Sequence, residues 1–125
     1  MSHSFCKKTI NKTADVDINN GITLANGNSA LAEDLMLMFA RSIESDFKEI
    51  HQAFIKKDTE EMSNLVHKLN GALQYVGAPK LRLITQSMDI ELKKRQKETE
   101  IPELFPLFEA AIKSFLAAQP NKQAR

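Results

Sequence analysis

From Ser29 to Leu116 the apolar positions of this chain recur at spacings of three and four, the period of helices with one buried face. Leu31, Leu35, Met38, Phe39, Ile43, Phe47, Ile50 and Phe54 form the inward stripe of a long helix. Asn28 or Ser29 caps it, Glu33 and Asp34 are expected in its first turn, and Lys56 and Lys57 close it. Met62, Leu65, Val66, Leu69, Ala72, Leu73 and Val76 make the next stripe, opened by Asp58-Thr-Glu-Glu61, which reads as a capping box. Gly77 is the expected left-handed residue at its end, and Pro79 suits the first turn of a third helix. That helix runs to about Gln96, with Leu81, Ile84, Met88 and Leu92 inward. Leu83 and Ile90 define a second face, read as lying under the N-terminal segment. Pro102 and Pro106 mark the start of a last helix carrying Leu107, Phe108, Ile112, Phe115 and Leu116.

Ahead of the long helix, Val16 to Asn26 suits a short helical turn around Ile18, Ile22 and Leu24 that ends in Asn26-Gly27. Residues 1–15 lack periodicity and read as a flexible arm, residues 16–118 as the bundle, and residues 119–125 as a disordered tail. Short connections favour antiparallel neighbours. The expected fold is therefore all-α: an antiparallel up-down four-helix bundle with a short N-terminal helical segment.

Composition agrees with this. A chain of 125 residues, 42% of them hydrophobic, supports one core, and four glycines, four prolines and one tyrosine with no β-branched run argue against a β-rich fold. A net charge of +1 argues against a nucleic-acid partner. The one basic run, Lys93-Lys-Arg-Gln-Lys97, reads as a solvated helix end complementing the dipole. One cysteine, Cys6, fits a reducing compartment; with a polar N-terminus and no apolar run of about 18 residues, the expected setting is cytoplasmic, without a membrane partner. Met36, Met38, Met62 and Met88 read as core filler. His3, His51 and His67 share no ligand spacing with one another or with Cys6, so no metal site and no cofactor of its own are expected. No Gly-rich phosphate loop, nucleophile elbow or nucleotide motif is present, so the chain is not expected to phosphorylate itself from ATP.

One residue departs from this pattern. At about 100° per residue, His67 lies opposite the apolar stripe of its helix. Its column neighbours are Ser63, Asn70, Gly71 and Gln74, and no carboxylate stands within a turn of it between residues 63 and 75. Gly71 costs its helix about 1 kcal/mol relative to alanine. On the outer surface close packing does not call for it, but it leaves bare backbone beside the ring. Such a helix can present an imidazole to a macromolecular partner.

His67-Lys-Leu-Asn-Gly71, with Gly77 six residues on and Ala-Pro-Lys-Leu after it, resembles the histidine-containing phosphotransfer (HPt) family, whose pattern is His-x-Leu-Lys-Gly and a second glycine. The likeness covers roughly Ile22 to Ala118 and is nearest to the C-terminal HPt modules of bacterial hybrid sensor kinases. Asn70 stands where the family often carries lysine, and Lys68 can supply that charge. The resemblance implies that His67 accepts a phosphoryl group and that the partners are receiver domains and a hybrid sensor kinase. It implies too that Mg²⁺ resides in the receiver.

A monomer is expected. An imidazole with an ordinary pKa of about 6.5 is largely neutral and nucleophilic near neutral pH. Lys68 can screen the phosphoryl charge or be a plain solvated lysine, and Gln74 can bond phosphoryl oxygens or simply face water. Asp89 sits where the family often has an acid or glutamine that accepts the proton of the ring's near nitrogen; the alternative is a surface carboxylate. The competing functional reading is an adaptor that binds a receiver or a partner helix without phosphoryl chemistry.

Overall fold

Three of the helices start where a short polar side chain satisfies a free amide at the helix end. Asp17 accepts from the Asn20 N–H at 3.0 Å, Asn28 from Leu31 at 3.0 Å and Asp58 from Glu61 at 3.1 Å. The other two carry a proline in the first turn, Pro79 and Pro102, where a missing N–H is no loss. The structure is a computed structural model that describes residues 10, 12–94 and 99–119. It contains α1 (Ile18–Leu24), α2 (Ser29–Ile55), α3 (Thr59–Leu73), α4 (Pro79–Lys93) and α5 (Ile101–Ala117), with no strand among the described residues.

Helices α2 and α4 each pack against both α3 and α5, so the four long helices close a ring, and α1 lies on α2. The apolar stripes meet inside it: Ile43, Val66, Leu73, Ile84, Met88, Phe108 and Phe115 are essentially without solvent contact. The edge-to-face pair of Phe39 with Phe115, ring centres 5.5 Å apart, joins α2 to α5. None of the described helices is long and apolar enough to cross a membrane.

Several expectations change at the element ends. Helix α2 begins at Ser29, so its first turn holds no acid, and Glu33 and Asp34 fall in the next turn. At the start of α3 only half of the capping box forms, because the Asp58 N–H donates to the Ala53 carbonyl, closing the left-handed turn at Lys57 (φ 60°). Helix α3 ends at Leu73, and Gly77 does not have a positive φ. Pro106 lies inside α5 rather than at its start. Ile90 is exposed, whereas Leu83 packs against the core.

The arm and the tail also differ from their sequence reading where the structure describes them. Ile10 is buried in the core, the Lys80 N–H donates to the Ala14 carbonyl at 3.0 Å, and the Lys80 ammonium lies 3.4 Å from Asp15. Gln119 is buried and its amide donates to the Phe115 carbonyl at 3.0 Å. The rest of the arm, the last turn expected before Gln96, and the tail beyond Gln119 lie outside the described residues.

Candidate functional site

Burial of Met62, Val66, Leu69 and Leu73 sets the rotation of α3, and this turns His67 outward with 66% of its side chain exposed. On α4 the inward set Leu81, Ile84, Met88 and Leu92 carries Asp89 to the edge of the stripe, at the seam with α3. There its side chain keeps only 10% of its exposure. A carboxylate so enclosed needs polar partners, and three converge on it. Lys93, one turn along α4, places its ammonium 2.9 Å from both oxygens. The Asn70 amide donates at 3.4 Å, and His67 Nδ1 lies 3.4 Å from Oδ2. The Lys93 ammonium also stands 2.8 Å from His67 Nδ1. Histidine, carboxylate and ammonium thus form one cluster spanning α3 and α4.

The structure distributes the other sequence-nominated residues around this cluster. Gly71 is exposed, and a Cβ built on it would meet nothing within 4 Å. Gln74 bonds back onto its own helix, its amide donating to the Asn70 carbonyl at 3.1 Å. Lys68 is turned toward α2, where it borders a shallow depression with Ser42, Asp46 and Glu49. The cation beside the imidazole is therefore Lys93, which the sequence reading assigned to a solvated helix end. Its four-residue spacing from Asp89, a helical ion-pair distance, was the available signal. Among the described residues no group of three or more His, Cys, Asp or Glu side chains is placed to hold a metal ion.

Burial raises the carboxyl pKa of Asp46 above its ordinary value; the Ser42 hydroxyl lowers it, the Glu49 charge adds to the rise, and Lys68 opposes it. A raised folded-state pKa contributes stability below the unfolded value of 3.8 and loses that contribution as pH rises through the folded value. Asp46→Asn should therefore raise the melting temperature slightly at neutral pH, by the equivalent of less than about 0.5 kcal/mol, and the gain should vanish below that unfolded value. Parallel melts at neutral and acid pH check the sign.

The end of α3 is held by contacts that sequence reasoning missed. Arg82 donates to the Leu73 carbonyl at 3.3 Å and the Val76 carbonyl at 2.9 Å, satisfying acceptors at the helix end. Its other amino group bonds Asn20 of α1 at 3.0 Å. Beside it the Asp17 N–H donates to the Gly77 carbonyl at 2.9 Å. A Cβ on Gly77 would lie 2.4 Å from the Asp17 carbonyl oxygen and 2.8 Å from the Gly21 nitrogen. Gly77 is thus required by close backbone approach, and the α3–α4 turn that orients the cluster is pinned to α1.

Comparison with known proteins points to one family. The Hpt domain profile matches residues 34–118. Sensor protein GacS of Pseudomonas syringae pv. syringae is 33% identical over 85 residues, 68% of this chain and 9% of that protein. Signal transduction histidine-protein kinase BarA of Escherichia coli (strain K12) is 26% identical over 101 residues, 80% of this chain and 11% of that protein. The matched segment thus spans about a tenth of these relatives' length. The crystal structure of the HPT domain from the Hpt sensor hybrid histidine kinase from Shewanella superposes with a TM-score of 0.73 at 27% identity, covering 82% of this chain and 89% of that one. The match runs through three of the four ring helices entire and most of α2, with the exposed histidine of α3 near its centre, and the chain belongs to the Hpt domain family.

Proposed function

We propose that this protein is a phosphorelay carrier of two-component signal transduction: His67 accepts a phosphoryl group from the aspartate of one receiver domain and passes it to another. The observation that carries this reading is the outward imidazole beside open backbone at Gly71, with a carboxylate behind its Nδ1. A partner can close over the ring without meeting a side chain at Gly71.

Phosphoryl transfer proceeds through a loose transition state that needs in-line positioning and charge stabilisation more than covalent help. The receiver supplies its aspartate, Mg²⁺ and lysine; this chain supplies a nucleophilic nitrogen. During transfer Asp89 accepts a hydrogen bond from Nδ1–H, which leaves Nε2 with its lone pair, while Asn70 steadies Asp89. Lys68 and Gln74 border the docking face. The partners are the receiver of a hybrid sensor kinase and that of a response regulator, and the chain has no kinase activity of its own. Both receivers use the same face in turn, which suits a cytoplasmic monomer.

Incubation with phosphorylated receiver domains should transfer to the protein a phosphate that is labile to acid, stable to base and carried on the peptide containing His67. Failure across a panel of receivers, or a base-labile product, would overturn the proposal and favour an adaptor. Docking is tested separately by Gly71→Arg, which should slow exchange with a receiver at least tenfold, the equivalent of about 1.4 kcal/mol. The variant should still react at the parent rate with phosphoramidate, a donor too small to meet the new side chain. Exchange at the parent rate with the receiver would refute the access argument.

A further inference from the structure

We propose that Lys93 is a tautomer latch, its ammonium lodged between His67 Nδ1 and Asp89 so that the imidazole proton stays on Nε2 until an arriving phosphoryl group draws the ammonium away. The idea rests on the reading of His67 as the phosphoryl acceptor and adds a control step to it.

A lysine ammonium has three donors and no acceptor. Standing 2.8 Å from His67 Nδ1, it obliges that nitrogen to accept. The neutral ring must then carry its proton on Nε2. Asp89 Oδ2 lies 3.4 Å from the same nitrogen, a longer contact than the 2.8 Å of the ammonium, while both its oxygens hold Lys93 at 2.9 Å. The ammonium therefore does two things at once. It occupies the imidazole lone pair that should carry a proton, and it occupies the carboxylate that should accept that proton.

Transfer needs the opposite tautomer. The Nε2 lone pair forms the N–P bond as the P–O bond to the receiver aspartate breaks, and that carboxylate leaves with the electron pair. The Nδ1 proton remains on the ring and is donated in a hydrogen bond to Asp89, whose negative charge offsets the positive charge left on the imidazole. In the latched tautomer Nε2 bears hydrogen and has no pair to give. Release costs no net proton, because water returns to Nδ1 the proton it takes from Nε2. Lys93 sits in the last turn of α4 with 52% of its side chain exposed, so its stem can swing. Phosphoryl oxygens arriving at Nε2 offer the ammonium a second anion on the far side of the ring. A single movement then clears Nδ1, frees Asp89 and brings a cation to the phosphoryl group.

Nitrogen-detected NMR of the intact chain reads the tautomer directly at about pH 8.5, two units above the ordinary imidazole value of about 6.5. The parent protein should show mainly the Nε2–H form. Lys93→Arg retains an obligate donor and should resemble the parent, whereas Lys93→Met should invert the ratio in favour of Nδ1–H bonded to Asp89. A parent already in the Nδ1–H form, or a ratio unmoved in Lys93→Met, would overturn the latch. Labelling of the same samples with phosphoramidate, in which the N–P bond to His67 forms as ammonia leaves, tests the acceptor reading by itself. An unlabelled parent protein would overturn that reading, whatever the tautomer ratio, so the two failures remain distinct.

Discussion

Replacing His67 with glutamine is expected to abolish phosphoryl acceptance while leaving the unfolding transition almost where it was. An amide nitrogen has no available lone pair, so no N–P bond can form at this position. The stability cost is small for a visible reason. The side chain is 66% exposed, and Asp89 keeps Lys93 and Asn70 as partners when the ring is gone. Glutamine also has at least the helix propensity of histidine. Exposed changes of this kind move stability by less than about 0.5 kcal/mol. Thermal melts beside a phosphate-incorporation assay separate the two effects. Undiminished labelling of the glutamine variant would show that the acceptor lies elsewhere.

The largest stability effect is expected from Gly77→Ala. The added methyl would stand 2.4 Å from the Asp17 carbonyl oxygen and within 3.0 Å of two Gly21 backbone atoms, none of which can rotate aside as a side chain would. The helix α1 or the α3–α4 turn must move. That movement strains the Asp17-to-Gly77 hydrogen bond and the Arg82 contacts with Asn20 and the end of α3. Overpacking of this severity costs about 3 kcal/mol, read as a lowered urea midpoint. Gly71→Ala is the internal control, because its Cβ would meet open space in the last turn of α3, and it should stabilise by up to about 1 kcal/mol. One substitution type thus has opposite signs six residues apart. Equal effects at the two positions would refute the close-approach account of Gly77.

Helix identity and the buried stripes were legible in the chain because they are local. A period of three and four places Val66, Leu69 and Leu73 on one side of α3 whatever the partners are, and the outward direction of His67 follows from the same rotation. The caps at Asn28 and Asp58 were legible for the same reason, since each side chain serves an amide three residues away. The motif around His67 needed only the linear order of residues.

Contacts between distant residues decided the rest. The left-handed role read for Gly77 came from its place after a helix, whereas its actual constraint is backbone from residues 17 and 21, some sixty positions earlier. Ile10 and Gln119 looked like parts of an arm and a tail because burial of a terminal residue leaves no period to detect. Lys68 adjoins His67 in sequence, yet a one-residue step turns a helical side chain about 100° around the axis. Lys68 consequently faces Asp46 and Glu49 on α2. Lys93, twenty-six residues from His67, reaches the ring because α3 and α4 pack side by side and Asp89 holds its ammonium in the seam. The exposed histidine belongs to the sequence pattern; the carboxylate and the cation set beside its Nδ1 belong to the helix pairing.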